Sequence, residues 1–194
     1  MVKTNINLFA EGEVVYTDGG VLAEFAWILV VLPFIAALII TFVGKSLPLK
    51  GAEVALGTIG IIFIYSLALM YLHVTEGVAN EFFINVGNIG QFDIEFGWVV
   101  DGLSIMMYFV VGLVALLVFI YATNYMEGEI RYTFFFTSLT LFAGSMLVLV
   151  SSPTLIQILI GWELVGVCSY LLIGHYWEVK DNSSAAMKLS LIHI

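Results

Sequence analysis

The sequence predicts an all-α membrane protein with about five transmembrane helices and a short extramembrane β-hairpin before the third helix. Its composition, five apolar runs and one alternating stretch support this fold. Hydrophobic residues make up 61% of the 194 residues, charged residues make up 11%, and the mean hydropathy is +1.07. Soluble domains carry about a quarter charged residues. A chain with so little charge cannot cover a water-facing surface, so we expect the lipid bilayer to surround it.

The five apolar runs have lengths close to the roughly 20 residues that span a bilayer as a helix. Proline and glycine lie in the short turns between several of them, as is common where one helix ends and another begins. The runs predict transmembrane helices at about 24–43, 52–71, 103–121, 132–150 and 154–174.

The segment between the second and third predicted helices has a different pattern. Phe92, Ile94 and Phe96 alternate with Asp93 and Glu95. A period of two is typical of a β-strand, and the nearby glycines mark turns. We therefore predict an extramembrane β-hairpin at about 85–101, with a loop of no regular structure as the alternative.

The basic residues indicate the orientation of the chain in the membrane. Five of the six Lys and Arg residues follow the first, third and fifth predicted helices: Lys45, Lys50, Arg131, Lys180 and Lys188. Because successive helices alternate in direction, these residues lie on one side, which the positive-inside rule makes cytoplasmic. We expect a multi-pass protein of the cell membrane, with an outward-facing tail at 1–23 and a cytoplasmic loop at 175–188.

The sequence excludes several other classes of site. The chain has one cysteine, so it has neither an internal disulfide nor a cysteine-rich metal or iron–sulfur site. No basic patch suggests nucleic acid as a partner. No glycine-rich nucleotide loop and no haem or metal-ligand spacing occurs. We therefore expect no metal, cofactor or redox centre in this chain.

Glu163 is the main candidate for chemistry, because no other charged residue falls well inside a predicted span. A carboxylate at the centre of a membrane helix costs about 2.5 kcal/mol or more, so we expect it to face a partner or a watered cavity. Desolvation favours the neutral acid, whereas a nearby cation favours the carboxylate. The sequence thus predicts proton transfer by Glu163. A permanently protonated, hydrogen-bonded side chain is the alternative.

Three further residues are candidates near the same path. Gln157 lies about one and a half turns before Glu163 and is predicted to continue a polar path. His175 is a candidate for a supporting role in proton loading, because histidine side chains ordinarily titrate near neutral pH, but an ordinary interface residue is the favoured interpretation. Asp101 precedes the third helix and is predicted to be its structural cap rather than a proton carrier.

Residues 161–174, with the sequence GWELVGVCSYLLIG, resemble the signature helix of subunit L of NADH:quinone oxidoreductase, whose mitochondrial counterpart is chain 5 of respiratory complex I. The resemblance extends over most of 99–188. It includes the VDGLS, YATNYMEGE, RYTFFF and AAMK stretches that begin at Val100, Tyr121, Arg131 and Ala185. Ser151, Ser152 and Pro153 depart from the family, many of whose members have an acidic residue and an asparagine there.

The resemblance implies a proton-translocating, antiporter-like subunit of the membrane arm. In the family, the glutamate at the position of Glu163 pairs with a lysine on a later helix. Lys188 matches the AAxK stretch and is a candidate for a supporting role in a cytoplasmic proton-entry path, but a solvated loop charge is the favoured interpretation. The resemblance also implies other membrane-arm subunits as partners. NAD, FMN, iron–sulfur clusters and quinone belong to other parts of the parent complex, which couples NADH-to-quinone electron transfer to proton pumping.

Two alternatives share this scaffold: a subunit of a multisubunit sodium/proton antiporter, and the membrane partner of a bicarbonate-uptake complex. The run from Val165 to Tyr170 favours complex I, because the antiporters more often have serine-rich residues there. The last six residues, 189–194, correspond to translated library-adapter sequence, so we expect them to be non-native. We do not expect a chain truncated there to pump protons alone.

Overall fold

The computed structural model describes residues 21–89, 92–178, 182 and 184–188, and five helices in these ranges are long and apolar enough to cross a membrane. A four-residue helix, α1 (Val21–Glu24), precedes them. The predicted all-α membrane fold is confirmed. Nearly all of the predicted tail and all of 189–194 lie outside the described residues. The five spanning helices are α2 (Trp27–Val43), α3 (Ala52–Glu76), α4 (Gly102–Tyr125), α5 (Tyr132–Ser151) and α6 (Leu155–Ile173).

The helix boundaries differ from the predicted ones where turn residues control them. The second helix was predicted to end near Tyr71, whereas α3 continues until Gly77, which adopts a φ of +67°. The Gly77 N–H donates to the carbonyl of His73 at 3.0 Å. A left-handed glycine is a common helix end, because it lacks the Cβ that penalises this conformation. The first spanning helix begins at Trp27, because the chain turns between α1 and α2.

The two strands β1 (Asn80–Ile89) and β2 (Phe92–Val100) form an antiparallel hairpin before α4. Phe82 lies opposite Trp98, and their rings stack with centroids 4.4 Å apart. A register shift follows Asn85. The predicted β-hairpin is confirmed. It starts at Asn80 rather than near residue 85, because the apolar residues around Phe82 also pair with β2.

Helix α5 lies at the centre of the bundle: α2 and α6 pack on it, and α3 packs on α4. Of the most apolar window of each span, 44% is buried in α5 but only 22% in α6. Ser138, Thr140 and Ser145 in α5 donate hydroxyl hydrogen bonds to carbonyl groups four residues earlier. Such bonds satisfy a buried hydroxyl within its own helix. Helix α6, by contrast, packs mainly on α5 and has the smallest buried share of the five spans. It therefore lies at the edge of the described bundle, with one side open.

The chain after α6 is not a simple loop. A 3₁₀ turn spans Gly174–Tyr176, and residues 184–188 are helical. Ala186 is buried and packs towards Gly174, where an added Cβ would lie 3.5 Å from the Ala186 Cβ. Ala186, within the segment predicted as a cytoplasmic loop, thus lies against the end of α6.

Candidate functional site on the last spanning helix

The start of α6 is fixed by Thr154. Its side-chain oxygen accepts a hydrogen bond from the Gln157 N–H at 3.4 Å, which satisfies one of the free N–H groups of the first turn. The same hydroxyl donates to the Glu95 carbonyl of β2 at 3.1 Å. One residue therefore caps α6 and joins it to the hairpin.

Gln157 strengthens this junction. Its Oε1 accepts from the Gly97 N–H at 2.9 Å, and its Nε2 donates to the Gly97 carbonyl at 2.8 Å. Gly97 also lies against β1 so closely that an added Cβ would come 1.8 Å from the Phe82 carbonyl oxygen. The structure thus places the Gln157 amide on the hairpin rather than beside Glu163. Its role in a polar path stays a prediction.

The middle of α6 packs on α5 through small residues. A Cβ on Gly161 would lie 2.9 Å from the Leu149 Cα, and the Cys168 Sγ lies 3.8 Å from the Ser145 Oγ. At 100° per residue, Gln157, Gly161 and Cys168 lie about 120–160° around the helix from Glu163. The face of α6 that touches α5 is therefore far from the carboxyl group.

Glu163 lies eight residues after the first residue of the 19-residue α6, near the centre of the span. Its side chain is exposed, and no ion pair or hydrogen bond involves it within the part of the chain that the structure describes. Neighbouring positions on this face, such as Leu159 and Val167, are also exposed. The carboxyl group thus stands on a mid-membrane surface that the described helices leave uncovered.

The far end of α6 is joined to the start of α5 by Arg131. The Arg131 Nη2 contacts Glu178 Oε2 at 2.6 Å and Oε1 at 2.7 Å, and the guanidinium carbon lies 4.3 Å from the centre of the Trp177 ring. The charge-assisted bond to Arg131 lowers the pKa of the Glu178 carboxyl group. This contact fixes the α5–α6 pair at the end opposite the hairpin.

His175 and Lys188 lie near this second junction. The His175 side chain is only 4% exposed, and its ring lies among Phe134, Phe135 and Tyr176. Neither ring nitrogen has a hydrogen-bond partner among the described residues. Lys188 is exposed on the helical segment beyond α6. Neither residue contacts Glu163, and their supporting roles stay predictions.

Asp101 is the N-cap residue of α4, and its Oδ1 accepts from the Ser104 N–H at 2.7 Å. Burial raises the pKa of the nearby Glu81 carboxyl group, and the negative charge of Asp101 raises it further. Asp101 and Glu81 belong to the hairpin end of the bundle, which also holds Gln157. The predicted site residues therefore occupy three levels along the bundle and do not form one cluster.

Sequence reasoning missed the junction made by Arg131. Arg131 and Glu178 are 47 positions apart, so no local pattern links them. The YATNYMEGE and RYTFFF stretches did mark the region, but only as part of the family resemblance. Within the described residues, no group of three or more His, Cys, Asp and Glu side chains is arranged to hold a metal ion.

Two family models match the chain. Residues 87–136 match the model described as NADH-ubiquinone oxidoreductase (complex I), chain 5 N-terminus. Residues 152–194 match the model described as NADH:quinone oxidoreductase/Mrp antiporter, transmembrane. The second match contains Glu163 and the whole of α6.

Curated relatives carry corresponding names. The chain is 38% identical over 174 residues to NAD(P)H-quinone oxidoreductase chain 5 of Synechocystis sp., covering 86% of this chain and 26% of the relative. It is 35% identical over 177 residues to subunit 5 from the chromatophore of Paulinella chromatophora, covering 88% and 27%. It is 47% identical over 105 residues to NADH-quinone oxidoreductase subunit L of Escherichia coli, covering 54% and 17%. The chain thus spans about a quarter of the length of the long relatives it matches.

A solved structure shares the fold. A chain of the membrane-bound sulfane sulfur reductase, an archaeal respiratory membrane complex, matches with a TM-score of 0.71 at 13% identity, over 87% of this chain and 34% of that one. The five spans, together with the two family models and the names of the relatives, indicate an antiporter-like membrane subunit. Within that class, the relatives of the chain are NADH:quinone oxidoreductase chain 5 and its Escherichia coli counterpart, subunit L. The antiporter and bicarbonate-uptake alternatives are not favoured, because these relatives are quinone oxidoreductase chains.

Proposed function

We propose that this chain is part of a proton-translocating subunit in the membrane arm of NADH:quinone oxidoreductase, in which Glu163 accepts and releases the proton. The other membrane-arm subunits are its partners in this proposal. NADH, FMN, iron–sulfur clusters and quinone act elsewhere in the parent complex, and this chain contributes no redox centre.

The observation that carries the proposal is the position of Glu163. Its carboxyl group lies at mid-span on a face of α6 that the described helices leave uncovered. A charged acid facing hydrocarbon at this depth costs about 2.5–3.5 kcal/mol on insertion scales, so a partner or water is expected opposite it. The chain spans about a quarter of its relatives' length, which leaves room for such a partner in the remaining helices.

The proposed chemistry is a change in protonation that follows the approach of a cation. When a lysine on a later helix is near, Coulomb attraction favours the carboxylate, which then releases its proton. When that lysine moves away, desolvation favours the neutral acid, which takes up a proton. In this scheme the proton moves without any covalent intermediate on α6.

The orientation of the chain is also part of the proposal. Lys45, Lys50 and Arg131 lie together at the end of the bundle away from the hairpin, and the positive-inside rule assigns that end to the cytoplasm. In a cysteine-labelling experiment, an impermeant thiol reagent added outside should label Asn85→Cys and should fail to label Glu127→Cys. The reverse pattern would contradict the orientation alone.

The experiment for proton transfer uses the full-length subunit that contains this chain, assembled in its complex and reconstituted in proteoliposomes. Glu163→Gln keeps the size and polarity of the side chain but removes its titratable proton. We expect NADH-driven proton uptake, followed by a pH-sensitive dye, to fall at least several-fold. Glu163→Asp should retain part of the activity.

Two controls make this result specific. Glu127→Gln removes an exposed loop carboxylate and should leave proton uptake unchanged. NADH oxidation by an artificial electron acceptor that bypasses the quinone site should be equal in all variants, because it reports an intact redox arm. Full proton uptake in the Glu163→Gln complex would show that Glu163 does not carry the proton.

A further inference from the structure

A cavity of about 310 Å³ opens at the end of the bundle away from the hairpin, and three basic residues line it. Lys45 and Lys50 come from the turn between α2 and α3, and Arg131 comes from the start of α5. Tyr132, Thr133 and Phe134, in the first turn of α5, also line the cavity. We call this the basic pocket. It collects three of the chain's six Lys and Arg residues.

The fold holds the walls of the basic pocket in place. Lys50 adopts a φ of +50° and Gly51 a φ of +99°, which turns the chain sharply before α3. The Thr133 hydroxyl donates to the Lys50 carbonyl at 3.0 Å, so the turn is bonded to the first turn of α5. Gly44 also packs on Thr133, with an added Cβ 2.9 Å from the Thr133 methyl group. Both lysines are therefore anchored beside the start of α5 through their backbone.

The electrostatics of the basic pocket favour an anion. No side-chain hydrogen bond caps α5 at Arg131, so the positive end of its helix dipole adds to the three cations. The buried Nη1 of Arg131 has no hydrogen-bond partner among the described residues, although Nη2 binds Glu178. Three further acids lie in this region: Glu53 accepts a hydrogen bond from the Leu49 N–H at 3.3 Å, and the negative charges of Glu127 and Glu129 act on Tyr132 and Tyr176. Among the described residues, none of these acids forms an ion pair with Lys45 or Lys50, so the two ammonium groups are available to an anion.

Apolar surface continues from the basic pocket towards the membrane interior. Phe42 and Val43, at the end of α2, are 81% and 47% exposed, and Phe134 in the pocket wall is 41% exposed. The Thr41 and Thr137 hydroxyls lie 3.5 Å apart, which places this part of α2 beside the first turns of α5. A basic cleft at the end of spanning helices, continuous with exposed apolar side chains, fits an amphiphile with an anionic head.

We propose that the basic pocket binds the phosphate group of an anionic phospholipid, whose acyl chains lie along Phe42 and Phe134. Lys45 and Lys50 supply the positive charge, and Arg131, already paired with Glu178, forms part of the wall. Basic clefts between membrane helices suit lipid head groups of this kind. Inorganic phosphate shares the head-group chemistry, but it gains nothing from the apolar surface. A lipid is therefore the expected occupant.

The test measures lipid binding to the full-length subunit that contains this chain, delipidated in mild detergent. Phosphatidylglycerol and phosphatidylcholine are titrated separately, and bound lipid is counted by native mass spectrometry. We expect one phosphatidylglycerol to bind more tightly than phosphatidylcholine. The double variant Lys45→Gln/Lys50→Gln should weaken phosphatidylglycerol binding roughly 30-fold, from the usual contribution of two lysines at a membrane surface. Lys45→Arg/Lys50→Arg should bind nearly as the unmodified subunit does.

The matched control is Lys188→Gln, which removes an exposed cation that does not line the basic pocket. It should leave phosphatidylglycerol affinity within about twofold. An equal loss in Lys188→Gln and in the double glutamine variant would show general charge attraction and overturn the proposal. Displacement of the lipid by millimolar inorganic phosphate would also overturn it, in favour of a free-anion site. Circular dichroism identifies any variant that fails to fold, and the arginine pair then separates charge from folding.

Discussion

The Gln157 side chain holds both backbone polar groups of Gly97, with one hydrogen bond of 2.9 Å and one of 2.8 Å. These two residues are 60 positions apart, and they join the start of α6 to the second strand of the hairpin. The contact explains why a glutamine at this position is buried. We therefore expect Gln157 to contribute to the stability of the described bundle.

Replacing Gln157 with Leu should lower the free energy of unfolding by about 1–3 kcal/mol, because it leaves the polar groups of Gly97 without their partner. The rate at which a thiol-reactive dye labels Cys168, the chain's one cysteine, measures opening of the α5–α6 interface. In denaturant, we expect Cys168 to be labelled faster in Gln157→Leu than in the unmodified chain. Leu159→Ala, an exposed change on the same helix, is the control, and equal labelling rates in the two variants would contradict the anchoring role.

Replacing Gly161 with Ala should destabilise the α5–α6 contact by about 1–3 kcal/mol, because the new Cβ would meet the Leu149 backbone at 2.9 Å. Gly60→Ala in α3 is a matched control, because nothing lies within 4 Å of its added Cβ. An alanine there should stabilise the helix by roughly 0.5–1 kcal/mol. Thermal unfolding in detergent, followed by circular dichroism, compares the two. A neutral Gly161→Ala would mean that the helices separate easily.

Replacing Asp101 with Ala should lower the free energy of unfolding by about 0.5–2 kcal/mol, because the Ser104 N–H loses its acceptor. Asp101→Asn keeps an acceptor and should recover most of this loss. Both variants should also lower the pKa of Glu81, because they remove the neighbouring negative charge that raises it. An NMR titration of Glu81 measures that shift. An unchanged Glu81 pKa would show that burial alone accounts for it.

The Arg131–Glu178 pair should make stability depend on acid. The hydrogen bond from Arg131 lowers the pKa of the Glu178 carboxyl group in the folded chain. The pair therefore stabilises fully above the ordinary glutamate pKa of about 4.3, and this contribution is lost as the pH falls through the lowered folded value. The difference in melting temperature between the unmodified chain and Glu178→Gln should be largest near neutral pH and vanish in acid. A difference that grows in acid would reverse the sign of the linkage.

The spans could be predicted because hydropathy over about 20 residues is a local property of the chain. The hairpin followed from the alternation around Phe92 and Phe96, another local signal. How the helices pack could not be predicted, because the spans are apolar on all sides and show no single buried face. The neighbours of Gly161 and the partner of Gln157 depend on contacts with distant residues, so no window of sequence contains them.

The same difference between local signals and long-range contacts applies to the candidate acid. Glu163 could be found because a charged residue inside an apolar span stands out. Its surroundings could not, because they depend on which face of α6 meets α5. Gly161 and Cys168 are small residues that suit that contact, but small residues occur at other positions of α6 as well. Arg131, which fixes the far end of α6, has no local signal that points to Glu178.

Helix α6 is thus fastened near both ends, to the hairpin through Gln157 and to the start of α5 through the residues around Glu178. Such a helix has little freedom to rotate or slide on its own. If the charge on Glu163 changes during a working cycle, the cause must come from mobile groups that approach the open face. In that case the Glu163 carboxyl group stays in place during the cycle, and the groups that move are those that face it.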